Sequence, residues 1–111
     1  MCAMTANDFR RMALSLPETT EGAHMGHPDF RVGAKIFATL GYPDNRYAVV
    51  RLMSYDQDLM AKDHPKAFAP VPGSWGSGGA TTILLRVANQ KIVRVALEAA
   101  WRKSAPKRLR S

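Results

Sequence analysis

The sequence predicts an α+β fold: a two-layer sandwich in which an antiparallel sheet carries helices on one face. Three observations carry this expectation. A segment near each end repeats apolar residues at helical spacing. Between them lie short β-branched and aromatic runs, punctuated by glycine and proline turns. Most of those runs follow one another too closely for parallel crossovers, which take a dozen or more residues. At 111 residues the chain is one domain by length, large enough to bury about two-thirds of its unfolded surface without staples.

The elements follow in order. Thr5 and Asp8 have capping-box spacing, and Phe9, Met12, Ala13 and Leu16 form one helical stripe, so a helix is expected over 6–16, ended by Pro17. A short strand is expected near Thr20–His24. Residues 29–40 (DFRVGAKIFATL) read as a hairpin turning at Gly33-Ala34. A two-residue turn sets Phe30 opposite Phe37, whereas a three-residue turn sets Val32 opposite Ile36; the sequence leaves both open. After the turn Gly41–Asn45, Tyr47–Met53 is a third strand.

Ser54 and Gln57 have capping-box spacing and predict a helix over 55–63 with Tyr55 and Leu59 packed inward. Residues 65–80 hold three prolines and four glycines and read as a long irregular loop. Thr81–Val87 is a strand with Ile83, Leu85 and Val87 on one face. Asn89 caps a last helix over 90–103, with Lys91, Arg94, Glu98 and Arg102 wet and Ile92, Val95, Ala96, Ala99 and Ala100 dry. The first and last helices are expected on one sheet face, which leaves the other open or half covered.

Composition narrows the function classes. The chain is 46% hydrophobic and 23% charged, which excludes a disordered chain. No run approaches the ~20 apolar residues of a membrane span. The lone Cys2 cannot form an internal disulfide, and Asp8, Arg10 and Arg11 interrupt any signal-peptide pattern, so a cytoplasmic protein is expected. Net charge is +7, from 16 Lys and Arg against 9 Asp and Glu. Residues 102–111 supply Arg102, Lys103, Lys107, Arg108 and Arg110 with no acid, so +5 of that +7 is terminal. The expected organisation is a single domain over 1–101 and a basic tail over 102–111. Such a tail attracts DNA or another polyanion without reading sequence; its bland counterpart is a solubilising end.

Three constellations bear chemistry-capable residues. His24-Met-Gly-His27-Pro-Asp29 puts two imidazoles and a carboxylate within six residues. In a straight strand an offset of three separates the histidines, and Gly26 lets them converge by turning the chain. Beyond His64, which follows the second helix, no further ligand accompanies them, and neither a metal site nor a catalytic residue is assigned. Gly73, Gly76, Gly78 and Gly79 match no phosphate-loop pattern. Trp75, between glycines, is either a stacking platform or an apolar side chain sealing the core edge. Arg31, Lys35, Arg46, Arg51 and Arg86 lie in the strand segments; they form a basic surface if several face one way, and a half-wet sheet otherwise.

ALSLPETTEGAHMGHPDFRVGAKIFATL (13–40), HPKAFAPVPGSWG (64–76) and ALEAAWRKSAPKRL (96–109) resemble the MmcQ/YjbR family of small bacterial proteins, nearly end to end. The resemblance implies an α+β fold related to the type III secretion chaperone-like architecture and a DNA-binding role by fold analogy, with no catalytic residues to carry over. The matched positions are His27, Pro28, Phe30, Lys35, Phe37, Trp75, Gly76 and Trp101. Relatives tend to follow Trp-Gly with basic residues and a second Trp; here the run is Ser77-Gly78-Gly79-Ala80-Thr81, without charge or a second ring.

The resulting expectation is a non-enzymatic DNA-binding module without a cofactor, acting through Arg31, Lys35, Trp75, Arg102, Lys103, Lys107, Arg108 and Arg110. Its binding should be salt-sensitive, it should not engage a membrane, and a second copy of the chain is an admissible partner. The alternative is a protein-interaction or small-molecule pocket centred on Trp75 and His27 and lined by His24, Asp29, Phe30, Phe37 and Phe68.

Overall fold

A computed structural model describes residues 4–110, the side chain of Arg110 excepted; Cys2 lies outside the described residues. Its elements are α1 (Ala6–Leu14), β1 (Thr19–His24), β2 (His27–Val32), β3 (Lys35–Leu40), β4 (Tyr47–Arg51), α2 (Ser54–Asp63), β5 (Phe68–Pro70), α3 (Ser74–Ser77), β6 (Ala80–Leu84), α4 (Gln90–Ser104) and α5 (Lys107–Arg110). The six strands form one sheet in the order β1-β2-β3-β4-β6-β5, and every neighbouring pair is antiparallel. The expected α+β sandwich is the fold observed. No helix of the described residues is long and apolar enough to cross a membrane.

Helices α1, α2 and α4 back one sheet face. Phe9, Phe30, Phe37, Leu52, Phe68, Ile83 and Leu97 are the large side chains fully sealed between the layers. Thr5 and Asp8 form the expected capping box on α1, and Asn89 caps α4 through the Ile92 amide. Trp101 donates its indole N–H to the Pro17 carbonyl at 3.0 Å. That bond ties the end of α4 to the residue that stops α1.

The β2–β3 hairpin turns on two residues, with Val32 opposite Lys35 and Arg31 opposite Ile36, and then slips. A bulge at Phe37 sets Phe30 opposite Ala38 instead of Phe37. Phe37 and Ala38, adjacent in sequence, are thereby both buried. Gly33 and Ala34 have φ of +56° and +69°, the mirror-image turn that matches strand twist. Alanine is strained there. Ala34→Gly is expected to stabilise the protein by about 0.5–1 kcal/mol in a urea titration.

Four sequence expectations need correction. The Ser54–Gln57 capping box does not form: Met53 is the N-cap of α2, without a side-chain bond. Gln57 instead turns inward and donates its amide to the Gly76 and Ala80 carbonyls and the Thr81 hydroxyl, which rotates Tyr55 outward to 75% exposure and leaves Leu59 exposed. The 65–80 loop contains β5 and α3; β5 is an edge strand, where prolines are tolerated. The Thr81–Val87 strand ends at Leu84 and tightens into a 3-10 turn over Leu85–Val87, which exposes Val87. The dry stripe of α4 is Val93, Ala96, Leu97, Ala100, Trp101 and Ser104, with Val95 turned out. Leu97 and Trp101 have more apolar area to bury than Val95 and Ala99, so they set the rotation of the helix.

The basic C-terminal segment is folded onto the domain over its described part. Arg102 and Lys103 belong to α4. Lys103 donates its ammonium to the Leu52 and Gly78 carbonyls at 3.1 and 3.0 Å, and burial together with nearby Arg51 holds its pKa below the usual lysine value. Ala105 is buried, Leu109 packs on the core, and Pro106 sits against Gly33 of the hairpin turn. Arg108 pairs with Glu18 through two bonds.

Candidate nucleic-acid interface

Strand pairing places Gly22, Asp29, Thr39, Val49, Thr82 and Ala69 in one row across all six strands. Their neighbours in sequence, Phe30, Ala38, Val50 and Ile83, belong to the core beneath the helices, so by alternation this row faces outward. Arg51, two residues beyond Val49 on the same strand, points the same way and is exposed. Part of the outer face is roofed. Val49, Val71 and Ala80 form a second apolar cluster, and Tyr42 and Trp75 pack on it. Trp75, half-buried, is the seal of that smaller core.

The β1–β2 hairpin turns at Met25-Gly26, both at positive φ, and sets His24 directly opposite His27. The two imidazoles therefore converge, with ring centroids 6.4 Å apart. Asp29 lies beneath them with no exposed surface. Its carboxylate accepts from Arg31 at 2.7 and 3.1 Å and is bonded to His24 Nδ1 at 2.7 Å. Gly22 leaves room for this arrangement, since a Cβ there would lie 3.1 Å from the Asp29 carboxylate. The Arg31 bonds, opposed by burial and aided by His24, hold the Asp29 pKa below the ordinary carboxylate value.

Asp44 is held lower still, at about 2, by bonds from the Arg46 side chain and amide. A depressed native pKa stabilises above the unfolded value near 3.9, and that contribution is lost as pH falls through the native pKa. Unfolding midpoints are therefore expected to be flat down to about pH 5 and to fall between pH 5 and 2. Asp29→Asn should shrink the acid limb; an unchanged limb would assign acid sensitivity to the other carboxylates.

Beside Asp29, a row of rings crosses the outer face. His27 stands edge-on to Tyr42 at 6.4 Å, and Tyr42 edge-on to Trp75 at 5.0 Å. His24, His27, Tyr42 and Trp75 are each partly exposed. Trp75 and His27, expected at one centre, do share a face, but Tyr42 stands between them.

The expected pocket is not assembled. Phe30, Phe37 and Phe68 are core residues between sheet and helices, with exposures of 0%, 0% and 2%, whereas Trp75 packs on the second cluster of the outer face. The alternation that makes them strong strand residues also turns them away from the outer face. A cleft of about 740 Å³ opens elsewhere, between α2 and α4, lined in part by Met53, Val95, Ala99 and Arg102. His24, His27 and Asp29 do come together. Among the described residues, no three His, Cys, Asp or Glu are placed to hold a metal ion.

The basic residues divide. Arg31, Lys103 and Arg108 are engaged within the molecule by Asp29, backbone carbonyls and Glu18. Lys35, Arg102 and Lys107 are exposed and have no ion-pair partner among the described residues. Pro106 against Gly33 brings the C-terminal segment to the hairpin turn beside Lys35. Arg110 lies in α5, and its side chain is outside the described residues. Sequence reasoning missed Tyr42, hidden in a turn signal, and named Arg51 only within the set of strand cations, without its face, which alternation with Val49 gives.

The fold defines a class: small α+β domains whose helices back one face of an open antiparallel sheet. The crystal structure of Deinococcus radiodurans protein DR2400, which carries the DUF419 domain, is similar, with a TM-score of 0.77 at 16% identity over 97% of this chain and 86% of that one. The YjbR family model matches residues 14–103, and the chain belongs to the YjbR family. No curated protein matches the sequence.

Proposed function

We propose that the chain is a non-enzymatic DNA-binding module that draws on Arg51 of the outer sheet face and on the exposed cations Lys35, Arg102 and Lys107, of which Arg102 and Lys107 line the cleft on the helix side. The observation that carries this reading is the placement of α1, α2 and α4 on one side of the sheet. It leaves Arg51 and the aromatic row on the opposite face, with Lys35, Arg102 and Lys107 unpaired among the described residues. The net charge of +7 adds long-range attraction for phosphate. The loop after Trp75 lacks the basic residues that relatives tend to carry, so phosphate contact falls to these other cations.

The test is fluorescence anisotropy with a labelled 20-nucleotide DNA at 50 and 200 mM salt. Affinity is expected to fall steeply with salt. The triple variant Lys35→Gln, Arg102→Gln, Lys107→Gln should bind at least tenfold more weakly at 50 mM and lower the slope of log affinity against log salt by about 2–3, one phosphate contact per cation. Salt-independent binding, or an unchanged triple variant, overturns the reading.

A further inference from the structure

We infer that the aromatic row makes the outer face a reader of single-stranded nucleic acid, stacking unpaired bases on His24, His27, Tyr42 and Trp75; this rests on the nucleic-acid reading above and names its substrate class. Two magnitudes decide against a duplex. Six strands spaced at about 4.8 Å present a face roughly 24 Å across, whereas the major groove of B-DNA is about 12 Å wide and admits a helix or a two-stranded ribbon. The rings recur at 6.4, 6.4 and 5.0 Å with planes inclined by 60°, 84° and 67°, so neighbouring rings offer differently directed faces and not a parallel stack. Bases in a duplex stack at about 3.4 Å per step and cover one another's faces. Only an unstacked strand can set successive bases against rings at the wider spacing.

The row is held in place before any ligand arrives. Asp29 orients the His24 ring through Nδ1, and His24 is partly exposed. Tyr42 and Trp75 rest on Val49, Val71 and Ala80, so their planes are fixed by packing. Arg51 offers the exposed cation on the same face for a backbone that tracks the row. Met25, 92% exposed at a positive φ between the two histidines, marks the end of the row with an apolar side chain that the fold itself does not use.

The experiment compares three 12-nucleotide probes at 50 and 200 mM salt: a mixed-sequence single strand, its duplex, and an abasic strand with the same phosphates. The single strand is expected to bind at least tenfold tighter than the other two at 200 mM. Tyr42→Leu and Trp75→Leu, which keep apolar packing on Val49, should each weaken single-strand binding five- to tenfold more than they weaken duplex binding, with native circular dichroism confirming the fold. Equal affinity for the single strand and the abasic strand, or a duplex bound as tightly, overturns this inference while leaving charge-driven binding intact. Absence of binding to all three probes at 50 mM overturns both.

Discussion

Gly76→Ala is expected to cost about 3 kcal/mol or more and to dismantle the Trp75 seal. A Cβ at residue 76 would overlap the Val71 carbonyl, a backbone group that cannot swing aside as a side chain can. The Gly76 carbonyl also accepts from buried Gln57 at 2.9 Å and from the Gly79 amide at 2.9 Å. Moving this backbone would orphan a buried amide on α2. Urea titrations of the two proteins measure the loss, and near-ultraviolet dichroism reports the Trp75 environment. Gly78→Ala is the control, since its Cβ would make an ordinary contact of 3.4 Å with the Trp75 carbonyl. It should stay within about 0.5 kcal/mol of the parent. Equal stability of all three proteins would refute close backbone approach as the reason for glycine at 76.

Truncation after Trp101 is expected to destabilise the fold by at least about 3 kcal/mol, and not merely to remove charge. The deleted residues include buried Ser104 and Ala105, the core-packed Leu109, and Lys103, which bridges the end of β4 to the α3–β6 connection. Lys103→Met isolates the bridge. It keeps the length of the stem but leaves the Leu52 and Gly78 carbonyls without their donor, at a cost of about 1–3 kcal/mol. Arg102→Gln with Lys107→Gln removes exposed charge alone and should change stability by less than about 0.5 kcal/mol. A truncated chain that melts like the full chain would restore the picture of a detachable tail. For this reason DNA binding by the C-terminal charges is tested by substitution rather than deletion.

How much was legible in the sequence varied with the kind of signal. Local chemistry was legible: Thr5 with Asp8 and Asn89 are short-range caps that need no tertiary context. The antiparallel order of β1 to β4 followed from connections too short to cross over; the β4–β6 pairing, joined through α2, did not. The rotation of α4 was not, because nearly every position from Ile92 to Trp101 is apolar and periodicity alone allows more than one stripe; the sizes of Leu97 and Trp101 settle it. Gln57 looked like a cap because Ser54 preceded it, yet its partners lie 19 to 24 residues onward, where no local pattern reaches. The candidate site was half legible. The two histidines and Asp29 are close in sequence and meet across a tight turn. The phenylalanines are equally prominent in sequence, but strand alternation sent them to the other face, and the Phe37 bulge is invisible to a simple period of two.

The sheet ends unevenly. One margin is β5, three residues long and closed by Pro70, which offers few unpaired peptide groups. The other is β1, six residues without proline, whose one charged carboxylate, Glu21, is engaged by Arg10 of α1. Growth of the sheet by an added strand is thus blocked on one flank and permitted on the other. If copies of the chain associate through the sheet, the Thr19–His24 flank is the expected seam, and Thr20→Lys or Ala23→Lys should then lower association measured by sedimentation.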